Sequence, residues 1–316
     1  MDSRGFGIAV DSATDIDDGV VITDGTNEFV WIPVSDTDLA EMYSTTTPET
    51  AADTALSKSS LGETTTTTKI YSRLRAANAV MGGAPGSTGY REPDILADTS
   101  WGDACTSGLN QLNSNLGYTG TSAQILKNFA QDMVDEYLVV FNSIKKYDGF
   151  YIGRYELTGS SDNPTVQRYQ PVLNTSSSGM GGFWYSLKSA CNRVITGENK
   201  KAQSHMIYGN QWDEVIDWLV DSGGRSNEEV YIDSSEWGNI ASGDPQDSGS
   251  NDVWSANNIY DLAGNYPEWT QEANDGINRV IRGGGWNMDN AVYGRYAQPP
   301  YGALTQYSTR VALYIK

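Results

Sequence analysis

Apolar residues recur at two periods along this chain, and each change of period marks a change of element. Residues 19–34 alternate in the manner of strands: Val20, Val21 and Ile22, a polar turn Asp24-Gly25-Thr26-Asn27, then Phe29-Val30-Trp31-Ile32-Pro33-Val34. An Asp-Gly turn between β-branched and aromatic runs predicts a hairpin. Over 122–147 the period lengthens. Leu126, Phe129, Met133, Tyr137, Phe141 and Ile144 recur three or four apart, with Thr121 or Ser122 placed to cap, which predicts a helix stopped by Gly149. Residues 150–158 then read as a strand, 184–196 as a second helix, and 210–220 as a third with Trp212, Val215, Ile216 and Leu219 on one face. From Val280 onward the pattern is short strands and turns, ending in Arg310-Val311-Ala312-Leu313-Tyr314-Ile315.

Two stretches carry no such period. Residues 44–121 are rich in Ser, Thr, Gly and Asn and include the unbroken run Thr64 to Thr68. A stretch that long without elements predicts irregular surface structure or a functional loop. Residues 222–257 read as polar loop. The expected organisation is a segment 1–18, extended in conformation, followed by one domain over 19–316 that carries 44–121 as an insertion.

Composition narrows the function. At 316 residues the chain can hold a large core. Lys+Arg number 21 against Asp+Glu 40, a formal net charge of -19, which repels nucleic-acid phosphates and anionic membranes. A nucleic-acid partner is therefore not expected, and no apolar run reaches membrane-spanning length. Cys105 and Cys191 are the only cysteines and His205 the only histidine, which excludes a disulfide-rich scaffold and a Cys/His zinc site. Whether the thiols pair stays open, with two reduced, buried side chains the plainer expectation. The first residues lack the charged start and apolar stretch of a signal peptide. Release by lysis, assembly into a virion and a longer precursor all stay open.

The most specific pattern lies between 258 and 286. Asp261-Leu-Ala-Gly-Asn265-Tyr-Pro-Glu268-Trp-Thr270 is followed, about fifteen residues on, by Arg282-Gly283-Gly284-Gly285-Trp286. Upstream, Gly149-Phe-Tyr-Ile-Gly-Arg154-Tyr-Glu156-Leu-Thr158 and Trp212-Asp213 add weaker matches. Together these blocks resemble the formylglycine-generating-enzyme (sulfatase-modifying factor) branch of the C-type lectin fold. The likeness covers roughly 149–316 and implies an α+β domain with a large irregular N-terminal insertion. Residues 205–209 depart from the Leu-Pro-Thr that usually precedes the Trp212 helix. In calcium-binding members of the branch the neighbourhood of Asn265 and Glu268 holds an ion. Solvated turn carboxylates and no cofactor are the expectation here, with a structural calcium the alternative.

The chemistry of that branch is missing. Formylglycine-generating members use two cysteines downstream of Arg-Gly-Gly; this chain has none after Gly283, and Tyr293-Gly294-Arg295-Tyr296 stands where the branch reads Arg-x-Arg-Cys. An iron-dependent relative needs several histidines, and His205 reads as an ordinary polar residue before a helix. Catalysis is not expected, so no catalytic or metal-ligating residue is assigned.

In place of a reactive centre stands a segment, 287–309, rich in Tyr, Asn, Gly, Ser and Ala. Antibody combining loops use the same mixture, because Tyr gives contact area at low entropy cost and small polar residues adapt. The segment resembles the variable region of diversity-generating-retroelement variable proteins, here 283–316. That resemblance implies a non-enzymatic, hypervariable surface binding a macromolecule, a protein or cell-surface ligand. The positions it puts on that surface are Asn287, Asp289, Asn290, Tyr293, Gly294, Tyr296, Gln298, Tyr301, Ala303 and Tyr307, with Trp286, Arg295, Arg310, Val311 and Leu313 as frame. Two alternatives remain: an oxidoreductase of the same fold with an unrecognised site, and a glycan-binding lectin. Against the lectin, Gln298-Pro299-Pro300 lacks the acidic ligand of calcium-dependent sugar sites.

Overall fold

The computed structural model describes residues 5–43, 117–177, 184–198, 200–240, 243–273, 279–288, 291–298, 300 and 306–316. The expected insertion therefore lies outside the described residues except for 117–121, as does Cys105. Cys191 is a buried free thiol.

The hairpin forms as the pattern predicts. Strand β2 (Val21–Thr23) pairs antiparallel with β3 (Glu28–Pro33), and Asp24 closes the turn by accepting the Thr26 and Asn27 amides at 3.0 and 2.8 Å. Within the segment before it, β1 (Gly7–Ile8) adds a further strand to β2. Helix α1 (Asp36–Tyr43) follows β3; Ser35 caps it, its hydroxyl accepting the Asp38 amide at 3.2 Å and donating to the Asp38 carboxylate at 2.7 Å.

The long amphipathic helix α2 runs over Ser122–Tyr147, burying Ile125, Tyr137, Val140 and Ile144. Asp148, at φ +57°, makes the left-handed exit, and Gly149 already belongs to β4 (Gly149–Gly153). A side chain at Gly149 would meet the Trp31 ring at 2.3 Å, so only glycine lets β4 lie against β3 here. Two short strands, β5 (Thr158–Gly159) and β6 (Pro164–Thr165), precede helix α3 (Trp184–Val194).

Strand β7 (Ala202–Met206) is unforeseen from the pattern, and His205 is in it. Helix α4 (Gly209–Asp221) buries Trp212, Val215, Ile216 and Leu219. The stretch 222–257 carries more order than its polarity suggests. It holds helix α5 (Asn227–Tyr231), opened by Ser226 and Glu229 exchanging side chain-to-backbone bonds, and strand β8 (Ser255–Ala256). Asn257 and Asn258, both at positive φ, turn β8 into β9 (Ile259–Tyr260). The remaining strands are β10 (Glu268–Ala273), β11 (Arg279–Arg282), β12 (Tyr296–Gln298), β13 (Ser308–Thr309) and β14 (Val311–Ile315).

These elements form an α+β molecule. A six-stranded sheet has the order β1-β2-β3-β4-β14-β7, and a four-stranded sheet the order β12-β11-β10-β13. All pairings in them are antiparallel except β10 with β13. The large sheet divides the core by strand alternation. Val30, Ile32, Phe150, Ile152 and Ala312 face one cluster with α2 and α4; Phe29, Val311 and Leu313 face another with α3, Trp269 and Ile281. The small sheet thus packs on the second cluster through β10 and β11, with β12 at its edge.

Candidate functional site

The C-terminal segment is built on the small sheet. β10 pairs with β11 so that Glu268 lies opposite Arg282, which makes one hairpin of the Asp261–Thr270 and Arg282–Trp286 motifs. Gly283 and Gly284 then leave the strand at φ +89° and +72°, and a side chain at Gly285 would strike Pro267 at 2.6 Å. The glycine run therefore turns the chain sharply against the first motif. The Trp286 amide donates to the Asn265 carbonyl at 2.8 Å and the Met288 amide to the Gly285 carbonyl at 2.9 Å, which leaves Asn287 exposed at the tip.

The chain next dips inward. Ala291 and Val292 are buried; the Val292 carbonyl accepts from the Trp212 indole at 3.2 Å, and its amide donates to the Ser234 hydroxyl at 3.0 Å. Tyr293 follows, half-buried, its ring 5.7 Å from that of Tyr231. Burial raises its phenol above the ordinary range. Gly294 closes the turn to Ala291 at 2.9 Å. Arg295 then points beneath the surface.

There Arg282 and Arg295 share two buried carboxylates. Arg282 contacts Asp213 at 2.7 Å and Glu272 at 3.2 Å; Arg295 contacts Glu272 at 2.7 Å and the second oxygen of Asp213. Burial alone would push the Asp213 carboxyl upward, but the Arg295 and Arg282 guanidiniums hold it below its usual value. Two cations and two anions balance, and each carboxylate oxygen has a guanidinium partner. The quartet joins α4, β10, β11 and the segment leading into β12.

Beyond it, Tyr296 stands 46% exposed at the start of β12, and Gln298 is partly exposed opposite Arg279. Tyr307 returns to the frame. Its ring meets Trp269 edge-on at 5.6 Å, and its amide and carbonyl bond to Thr175 at 3.1 and 2.8 Å. Of the ten positions expected to project outward, Asn287 and Tyr296 are exposed, and Gly294 and Gln298 partly so. Tyr293 and Tyr307 are likewise half-buried, each ring resting on an aromatic partner in the frame. Asp289, Asn290, Tyr301 and Ala303 lie outside the described residues. Arg310, Val311 and Leu313 are fully buried and Trp286 partly so.

A second buried cluster supports the first motif. Glu268 pairs with Arg310 at 2.7 and 3.1 Å, and Arg310 also donates to the Gly153 and Tyr260 carbonyls. Glu156 accepts from the Asn265 amide at 2.6 Å and from the Tyr266 N–H at 3.2 Å. One Asp261 oxygen accepts from Ser248 and Gly249; the other has no partner among the described residues. Burial, reinforced by Asp261 and Glu268, holds the Glu156 carboxyl well above its usual value. Burial likewise lifts Asp261 to about 6 and Glu268 to about 7. Three acids thus surround one guanidinium. Among the described residues no group of three acid, His or Cys side chains is assembled to hold a metal ion.

His205 corrects the expectation of an ordinary polar residue. It is 1% exposed on β7, its Nδ1 is 2.8 Å from the Met206 carbonyl, and its ring lies between those of Tyr208 and Tyr314. Burial lowers its pKa to about 4. Nearby, Glu136 receives Lys188 at 3.0 Å, the Gln271 amide at 2.6 Å and the Tyr208 hydroxyl at 2.9 Å.

No protein-family model, curated protein or solved structure matches this chain.

Proposed function

We propose that this chain is a non-enzymatic binding protein. In this reading its C-terminal segment is a hypervariable surface on a C-type lectin fold of the formylglycine-generating-enzyme type, as in diversity-generating-retroelement variable proteins. The target is a macromolecule, a protein or a cell-surface ligand. One observation carries the reading: among the described residues of 286–298, exposed side chains stand beside anchored ones, and the anchors are fixed by α4, Ser234 and β10 of the frame. Asn287 and Tyr296 face solvent, while Val292 and Arg295 between them are fixed by Trp212, Ser234, Asp213 and Glu272. A surface supported in this way tolerates changed side chains without losing its backbone.

The pairing of the two motif blocks in one hairpin supports the fold assignment. Tyr296 and the half-buried Tyr293 and Tyr307 supply rigid aromatic area, with Asn287 and Gln298 as adaptable polar contacts around it. The genomic test is the DNA beside the coding sequence. A near-copy of the segment encoding 283–316, differing only at adenines and lying beside a reverse transcriptase, is expected; an intact locus without such a repeat overturns the retroelement assignment.

A further inference from the structure

A cleft of about 380 Å³ opens on the large sheet. Phe6 and Ile8 form one wall with Ile22, and Tyr151, Ala202 and Ile315 form the floor. The register brings these residues together: Ile8 lies opposite Ile22 and Ala202 opposite Ile315, while Tyr151 lies opposite Leu313. The cleft is at the small end of ligand-site volumes, roughly 300–1,000 Å³. None of its described lining residues is acidic, although the chain as a whole carries a formal net charge of -19.

Its mouth carries a cation. Lys201 lines it directly and is exposed. Lys316 follows Ile315 and fixes the backbone there, its amide bonded to the Lys201 carbonyl at 2.8 Å, while its ammonium donates to the Gly197 carbonyl at 3.2 Å. The Lys200 ammonium lies 3.7 Å from where a side chain on Gly5 would start, beside Phe6. An apolar slot with an exposed lysine, Lys201, at its rim on an acidic protein fits one ligand chemistry: an alkyl chain ending in an anion. We propose that this cleft binds a single-chain anionic amphiphile of the fatty-acid class, with the alkyl chain against Ile22, Tyr151 and Ile315 and the carboxylate at Lys201.

Isothermal titration of the full chain with sodium decanoate, below its micelle concentration, tests this. Saturable binding of one equivalent is expected. Affinity should rise about fourfold per methylene from hexanoate to decanoate, as full burial of each CH₂ implies. Lys201→Glu, an exposed change that leaves folding intact, should weaken decanoate about fivefold and strengthen decyltrimethylammonium. Ala202→Phe should abolish binding by filling the slot. No saturable heat with decanoate, or equal affinity for the cationic analogue, overturns the proposal. Co-sedimentation with phosphatidylglycerol vesicles without binding of free decanoate overturns it in favour of a membrane-docking face.

Discussion

Two buried ionic clusters lie under the same hairpin, and they are built differently. Asp213, Glu272, Arg282 and Arg295 pair two acids with two guanidiniums. Glu156, Asp261 and Glu268 share the single guanidinium of Arg310. The first is balanced and acts as a lock between the frame and the C-terminal segment. The second carries more acid than base, so the folded protein retains protons there that the unfolded chain has released. The difference separates what holds the surface from what responds to pH.

The largest expected effect breaks the balanced cluster. Arg282→Met leaves two buried carboxylates short of charge and should cost about 3–5 kcal/mol, read as a fall in the urea midpoint. Arg295→Met should cost less, since its side chain is 15% exposed and water can reach the site. Equal costs would mean that the two arginines are equivalent.

The acid-rich cluster should show itself in pH dependence. Asp261 and Glu268 have folded values of about 6 and about 7, above their unfolded values. Their contribution to stability is therefore complete below about pH 4 and lost as pH rises through 6 to 7. Asp261→Asn mimics the protonated acid, because the oxygen bonded to Ser248 and Gly249 is kept and the partnerless one is replaced. The variant should gain on the order of 1–3 kcal/mol over wild type at pH 8 and nothing at pH 4. A gain that is the same at both pH values would exclude a buried proton.

His205 should give the opposite sign. Its folded value of about 4 lies below the unfolded 6.5, so its contribution is complete above 6.5 and lost as pH falls toward 4. The acid cluster gains over the same range, so the histidine is read as a difference: from pH 7 to 4 wild type should lose stability relative to His205→Gln, which lacks this titration. The smallest effects belong to the surface. Tyr293→Ala removes the contact with Tyr231 and should cost about 1 kcal/mol. Tyr296→Ala should change stability by less than about 0.5 kcal/mol.

Much of this fold was legible where periodicity was strong. The long helix ends where its apolar spacing ends, and the hairpin turns at Asp24-Gly25. The strand Ala202–Met206 was not legible, because Gln203, Ser204 and His205 show no apolar alternation; Ser204 and His205 are buried through hydrogen bonds formed only on folding. The helix at Asn227–Tyr231 did leave a signal, the Ser226/Glu229 capping pair inside a polar stretch.

The site was legible in part. Arg295 and Arg310 could be placed in the frame, but not their acids, since Asp213 and Arg295 stand 82 residues apart. Nor does tyrosine content distinguish Tyr296, which is exposed, from Tyr307, which leans on Trp269. A ring's partner across the fold decides that, and no local pattern records it.

The central claim, that the exposed positions are independent of the frame, has a direct measurement. A display library randomised at Asn287, Tyr296 and Gln298 is sorted first for folded expression and then for binding to streptavidin as a defined target. The account predicts that most members stay folded, with melting close to wild type, and that binders are recovered with new side chains at these positions. A library that is mostly unfolded, or one that folds and yields no binder, would contradict it.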